Sequence, residues 1–294
     1  MSDRFHPLPL EMLSSWIADE LDAKDSVFGI PRPLFFNPVK HRKIRTTAYG
    51  HSLETPLGVA AGPHSQLAQN IVVAWLCGAR FIELKTVQTL DQIGVSKPCI
   101  DMQDEGYNVE WSQELRVEES FSEYLKAWVL IHALHRRLGF PGDDPGVIFN
   151  LSVGYDLAGI RQPNMQWYLD KVENPGSEIV RAIDVVARRF PEAAEYSIPT
   201  RMSDNVTLST MHGCPPDEIG AISSYLLRER ELHTSVKLNP TLLGPERLLP
   251  ILNERLGFKE LVIPGKVFEE DLDYKDALSL LRELSDTAAG FGLD

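Results

Sequence analysis

Six short apolar runs, separated by stretches of helical spacing, constrain this chain more than any other feature. They are residues 56–61 (PLGVAA), 80–87 (RFIELKTV), 147–152 (VIFNLS), 206–211 (VTLSTM), 235–238 (SVKL) and 261–263 (LVI). Strands this short and this apolar are buried on both faces, which helices on a parallel sheet provide. The order βαβαβαβαβαβα is therefore read as a parallel sheet with helical crossovers. The clearest unit is 205–244. Its first strand runs into His212-Gly213-Cys214-Pro215-Pro216. Ile219, Ile222, Tyr225 and Leu226 then recur at helical spacing, and the next strand carries Lys237 and Asn239 at its end.

No GxGxxG opens a helix, so a dinucleotide-binding Rossmann domain is poorly supported. A (β/α) TIM-type barrel fits better. It needs eight strands in roughly 250 residues, and only about six are legible, with a seventh conceivable from Phe291. An incomplete barrel is thus expected over 51–294, preceded by an arm, 1–50, packed on it. A long polar and acidic insertion spans 88–118. Helices are expected over 8–23, up to Gly78, from a Ser120/Glu123 capping box to Leu138, over 164–172, from Ser177 to Phe190, and from an Asp273 cap to Ala289. Residues 28–38 read as extended chain, and Pro250 should kink a helix over 245–256.

The net charge of −13 argues against nucleic acid as a partner, because phosphate binding wants a basic surface. Cys77, Cys99 and Cys214 are odd in number and share no CxxC spacing, so they frame neither disulfides nor a metal cluster by themselves. No run approaches a membrane span, and the N-terminus lacks signal-peptide character. A cytoplasmic location is expected.

The chemistry sits at the strand ends. Ala61-Gly62, Lys85-Thr86, Asn150, His212-Gly213-Cys214 and Lys237-Leu238-Asn239 would share one mouth if the strands are parallel. Small residues let a flat ring approach the backbone. Two lysines suit the pyrimidine edge of a flavin, where negative charge develops on reduction. Asn150 offers donor and acceptor to ring or substrate. A lysine there could equally snorkel to solvent, or form the Schiff base of a lyase. Cys214 reads either as a thiol whose pKa a helix N-terminus lowers, or as packing; His212 reads as a proton donor on similar terms. Trp16, Trp75, Trp128 and Cys77 read as core, and His132 and His135 as a solvated helix face. The acidic residues Asp101, Asp104, Glu105, Glu110 and Glu114 read as a solvated loop with no metal-site spacing. The insertion itself, with Trp111, suits a lid or docking surface.

The stretches PLGVAAGP, GARFIELKTVQ, FNLSVGY, STMHGCPP and VKLNPTLLG, together with KPCID (97–101) and Glu110-Trp111-Ser112, resemble the "putative selenate reductase flavoprotein subunit" family from about Pro7 onward. The N-terminal domain of that family is similar to dihydroorotate dehydrogenase and to the matching domain of dihydropyrimidine dehydrogenase. The resemblance implies an oxidoreductase with an FMN-type barrel, passing electrons to a small-molecule substrate. It places Ala61, Gly62, Lys85, Thr86, Asn150 and Lys237 at the flavin, Asn150 and Asn239 at substrate, and leaves His212 and Cys214 as proton donors. FAD, NAD(P)H and iron–sulfur clusters would lie outside this chain, on a longer or additional oxidoreductase chain. The base of dihydroorotate dehydrogenases, three residues after the Asn, is here Val153, which disfavours that substrate. The last two strands, where the flavin phosphate usually binds, are expected to be missing. The alternative is a non-catalytic or assembly subunit that a partner completes.

Overall fold

The computed structural model of the chain describes residues 5–93, 100–101, 107–108, 112–209 and 214–294. In chain order, the main elements are α1 Leu10–Lys24, β1 Gly58–Val59, α2 Ala68–Leu76, β2 Phe81–Glu83, α3 Val117–Arg137, β3 Ile148–Val153, α4 Leu157–Ile160, α5 Pro163–Glu173, α6 Ser177–Ala187 and α7 Glu192–Glu195. There follow β4 Asn205–Ser209, α8 Pro216–Arg228, β5 His233–Lys237, α9 Pro245–Pro250, α10 Gly265–Glu270 and α11 Tyr274–Gly290. Two-residue strands at Ser26–Val27 and Ile30–Pro31, and three-residue strands at Thr46–Ala48 and His51–Leu53, form small antiparallel hairpins. Among the described residues, no helix is long and apolar enough to cross a membrane. The chain divides into two units, Met1–Ser152 with Gln162–Asp204, and Val153–Arg161 with Asn205–Asp294.

In the first unit β1, β2 and β3 are parallel. Gly58 is in register with Phe81, and Phe81, Ile82 and Glu83 with Ile148, Phe149 and Asn150. Gly58 is required by the close approach of β2: a Cβ there would lie 2.4 Å from the Phe81 carbonyl oxygen. The helix α3 is the hub. Glu118 and Glu119 sit in its first turn and Arg136 and Arg137 in its last, complementing the helix dipole. It packs against α2, α5, α6 and α7. Trp128 meets Phe149 of β3 edge-on at 5.1 Å between centroids.

That enclosure corrects one expectation. His132 and His135 are buried rather than solvated, because α3 has no free face along that turn. The helix also starts one turn earlier than expected. Glu119 Oε2 accepts the Arg116 N–H at 2.9 Å, which displaces the Ser120/Glu123 capping box. Glu123 instead accepts the Ala68 N–H at 2.8 Å and so caps α2. Trp75 and Trp128 are core as expected, whereas Trp16 is 46% exposed against the edge of Phe28, and Cys77 is exposed. Residues 28–38 are only partly extended, since Arg32–Leu34 makes a 3-10 turn.

A buried ion pair anchors the same unit. Arg80 Nε donates to Glu54 Oε2 at 2.8 Å and Nη1 donates to the Trp75 carbonyl at 2.6 Å, with the guanidinium between the Phe36 and Trp75 rings.

In the second unit β4 and β5 are parallel from Asn205↔His233 to Ser209↔Lys237. Leu227 of α8 packs with Leu284 and Ala288 of α11. Asp273 caps α11 by accepting the Asp276 N–H at 2.7 Å. Where a kinked helix over 245–256 was expected, α9 ends at Pro250 and a π-helical turn, Ile251–Arg255, follows it. The expected sixth strand does not form. Residues 261–263 make no ladder; the Leu261 N–H closes a turn onto the Phe258 carbonyl, and Val262 is 84% exposed. Phe291 does not begin a strand either, but caps α11.

Candidate functional site

Ladder pairing carries on beyond the end of β2. The Leu84 N–H donates to the Asn150 carbonyl at 2.9 Å and the Val87 N–H to the Ser152 carbonyl at 3.0 Å. This holds Lys85 and Thr86 against Asn150 and Ser152. The Tyr124 hydroxyl of α3 donates to the Lys85 carbonyl at 3.2 Å, and the Thr86 and Ser152 hydroxyls are 2.8 Å apart. Lys85 is 2% exposed and Asn150 fully buried. The first unit therefore brings Lys85, Thr86 and Asn150 together.

A buried ammonium is costly unless it is paired. Lys85 Nζ donates to Ser112 Oγ at 3.5 Å, and the Ser112 hydroxyl donates to Glu114 Oε1 at 2.5 Å. Gln66 Nε2 donates to Glu114 Oε2. Glu114, expected on a solvated loop, is buried. The reason is tertiary. Glutamine side chains fasten the returning segment 112–115 to the strand end. Gln113 Oε1 accepts the Gln88 N–H at 3.0 Å, Gln66 Oε1 accepts the Leu115 N–H at 3.1 Å, and Gln92 Nε2 donates to the Glu114 carbonyl at 2.9 Å. A backbone bridge between Ile93 and Gln113 closes the root of the insertion. The insertion thus ends inside the site. Its middle, with Cys99, Asp104, Glu105, Glu110 and Trp111, lies outside the described residues.

Ala61 and Gly62 follow β1 and adjoin β2 through Glu83, whose Oε2 accepts the Ala61 N–H at 3.0 Å. The Gly62 N–H donates to Ser65 Oγ at 3.1 Å. Both amide donors are already engaged, so neither residue has a backbone N–H left for a ligand. A Cβ at Gly62 would fall 2.6 Å from His64 Cε1, so glycine leaves room for that ring.

The second unit holds the remaining candidates. Lys237 ends β5 and is exposed, and Asn239 precedes the 3-10 turn Pro240–Leu243. Cys214, Ile219, Leu238 and Asn239 line one small crevice. The Cys214 thiol is pushed up by burial first, then by the carboxylates of Glu218 and Asp217. This corrects the expected lowering. Cys214 stands two residues before α8, and the acidic first turn of that helix offsets its positive end. His212 lies outside the described residues. Val153, at the position of the dehydrogenase base, is fully buried.

Sequence reasoning missed Glu83, Ser112, Glu114 and Gln66. Glu83 was visible as a carboxylate inside an apolar run. The other three are gathered only by the return of the insertion.

Parallel strands joined by helices, with polar side chains collected near strand ends within a unit, define an α/β domain. The chain belongs to the family described as "Oxidoreductase YgfK, N-terminal TIM-barrel domain", which matches residues 28–294. Two relatives, both named "Putative oxidoreductase YgfK", come from Escherichia coli strains K12 and O157:H7. Each is 42% identical over 316 aligned positions, which cover all of this chain and 30% of the relative. The chain therefore spans about a third of the length of the curated relatives it matches. Two crystal structures of DHODH from Eimeria tenella are more distantly similar. The ligand-free form shares 17% identity at a TM-score of 0.40, over 81% of this chain and 70% of that one. The ferulenol complex shares 16% identity at 0.38, over 84% and 71%.

Proposed function

We propose that this oxidoreductase domain binds FMN and exchanges electrons between a reductase module, on a longer or additional chain, and a small heterocyclic or oxyanion substrate. One observation carries this reading: a buried lysine just past the carboxyl end of one parallel strand, beside a buried asparagine within the strand paired to it. The donor set fits a flavin. Lys85 would meet the electron-rich N1–C2 side of the ring, and Asn150 can both donate and accept at its imide edge or at substrate. Ala61 and Gly62 would meet the ring by surface contact, with Thr86 bracing the strand end through Ser152. When bound, the flavin supplies a two-electron store. Lys237 is a second cation for the ring or for an anionic substrate, and Asn239 a second polar contact.

A raised thiol stays protonated at neutral pH, so Cys214 suits giving a proton better than acting as a thiolate. His212 is the other donor of this reading. Val153 has no proton-accepting atom, so dihydroorotate is disfavoured as substrate. The visible absorption spectrum of purified protein tests the reading. A flavin band, or its appearance on adding FMN, is expected. Colourless protein that takes up neither FMN nor FAD contradicts it.

A further inference from the structure

The chain Lys85–Ser112–Glu114–Gln66 has a fixed direction. Lys85 can only donate, so Ser112 Oγ must accept from it. The single Ser112 hydrogen then goes to Glu114 Oε1. The second carboxylate oxygen accepts from Gln66, and Gln66 also holds the next backbone amide, that of Leu115. An ionised carboxylate satisfies every one of these bonds, whereas a protonated one would compete with Ser112 as a donor. Lys85, Ser112, Glu114 and Gln66 are all buried, so their charges act through a medium that screens them weakly.

We propose that Glu114, acting through Ser112, is a positioning residue that fixes the place and sets the effective charge of Lys85 at the flavin ring. The inference rests on the flavin reading above and adds to it a control on the ring's electron affinity. Lys85 alone would favour the reduced, more negative ring. Glu114, linked to it through the Ser112 hydroxyl, offsets part of that pull. The insertion delivers this counter-charge, so its root belongs to the redox machinery while the strands supply the lysine.

The test compares wild type with Glu114→Gln, Glu114→Asp and Ser112→Ala, each with and without Lys85→Met. In flavin-free protein, the side-chain nitrogen of Lys85 is followed by 15N NMR against pH. Glu114→Gln should make the Lys85 ammonium lose its proton about tenfold more readily, roughly one pH unit lower, and Glu114→Asp should restore most of the difference. In FMN-loaded protein, Glu114→Gln should shift the flavin midpoint potential upward, and this shift should vanish in the Lys85→Met background. Ser112→Ala should change both readouts while both charges remain. An unchanged Lys85 titration in folded Glu114→Gln protein overturns the inference, whatever flavin does. A potential shift that persists in Lys85→Met also overturns it, since Glu114 would then act without the lysine. Failure of wild type to bind FMN removes the flavin reading instead, and the flavin-free titration then decides whether Glu114 governs Lys85.

Discussion

Buried charge is the theme at the level of single residues. Arg80, against the Phe36 and Trp75 rings, and Glu54 are both closed off from water, so losing one partner strands the other. Glu54→Ala should cost about 3–5 kcal/mol in urea denaturation, while Glu54→Leu with Arg80→Met should cost less. Gly146 belongs to the same construction: its φ is +63°, and a Cβ there would lie 2.5 Å from Glu54 Cγ. The histidines of α3 give the first unit a pH dependence. Burial, first, pushes His132 and His135 down to about 4 from the ordinary 6.5, and Arg136 adds to the effect at both. The unfolded chain binds more protons between those values. Their contribution is therefore fully present above about pH 6.5 and is lost as pH falls toward 4, on the order of 2–3 kcal/mol per histidine. Denaturant midpoints from pH 7.5 to 4.5 should show this fall, and a His135→Phe variant should show a shallower one. None of these residues advertised its burial in the sequence. A helix buried all round between residues 127 and 135 hides its histidines from a reading based on one apolar stripe.

At the scale of elements, strands flanked by strong breakers were the most legible. The runs ending in Gly62-Pro63, Lys85-Thr86, Ser152 and Lys237 all form strands where the apolar pattern put them. The run at 261–263 failed because three apolar residues without a paired neighbour can close a turn instead. Capping was legible where the side chain was short and next to the helix, as at Asp273. At α3 it was not, because Glu119 offered a competing cap one turn earlier. The insertion was the least legible element. Its acidic composition suggested a solvated loop, yet glutamines from both of its ends and from Gln66 bury its return segment. The tight β1–β2 pairing is testable here. Gly58→Ala must push Cβ away from the Phe81 carbonyl, which overpacking costs put at about 1–3 kcal/mol. A midpoint equal to wild type in thermal unfolding would show that β1 is free to move.

For the whole molecule, the chain belongs to the YgfK N-terminal TIM-barrel domain family and spans about a third of its relatives. The barrel class was legible because strand–helix alternation is a global pattern that no single misread element can erase. The candidate site was legible only in part. Lys85, Thr86 and Asn150 could be named from strand ends, and they do converge in one unit. The carboxylate linked to Lys85 through Ser112 could not, since Glu114 comes from a segment almost thirty residues away in the chain. The account stands or falls on whether that buried lysine holds FMN. The direct measurement is the FMN dissociation constant of purified wild type and of Lys85→Met, by calorimetric titration at fixed salt. Removing a charged hydrogen bond at the ring should weaken binding by about 10–100-fold. Equal affinities, or no binding by wild type, would contradict the account.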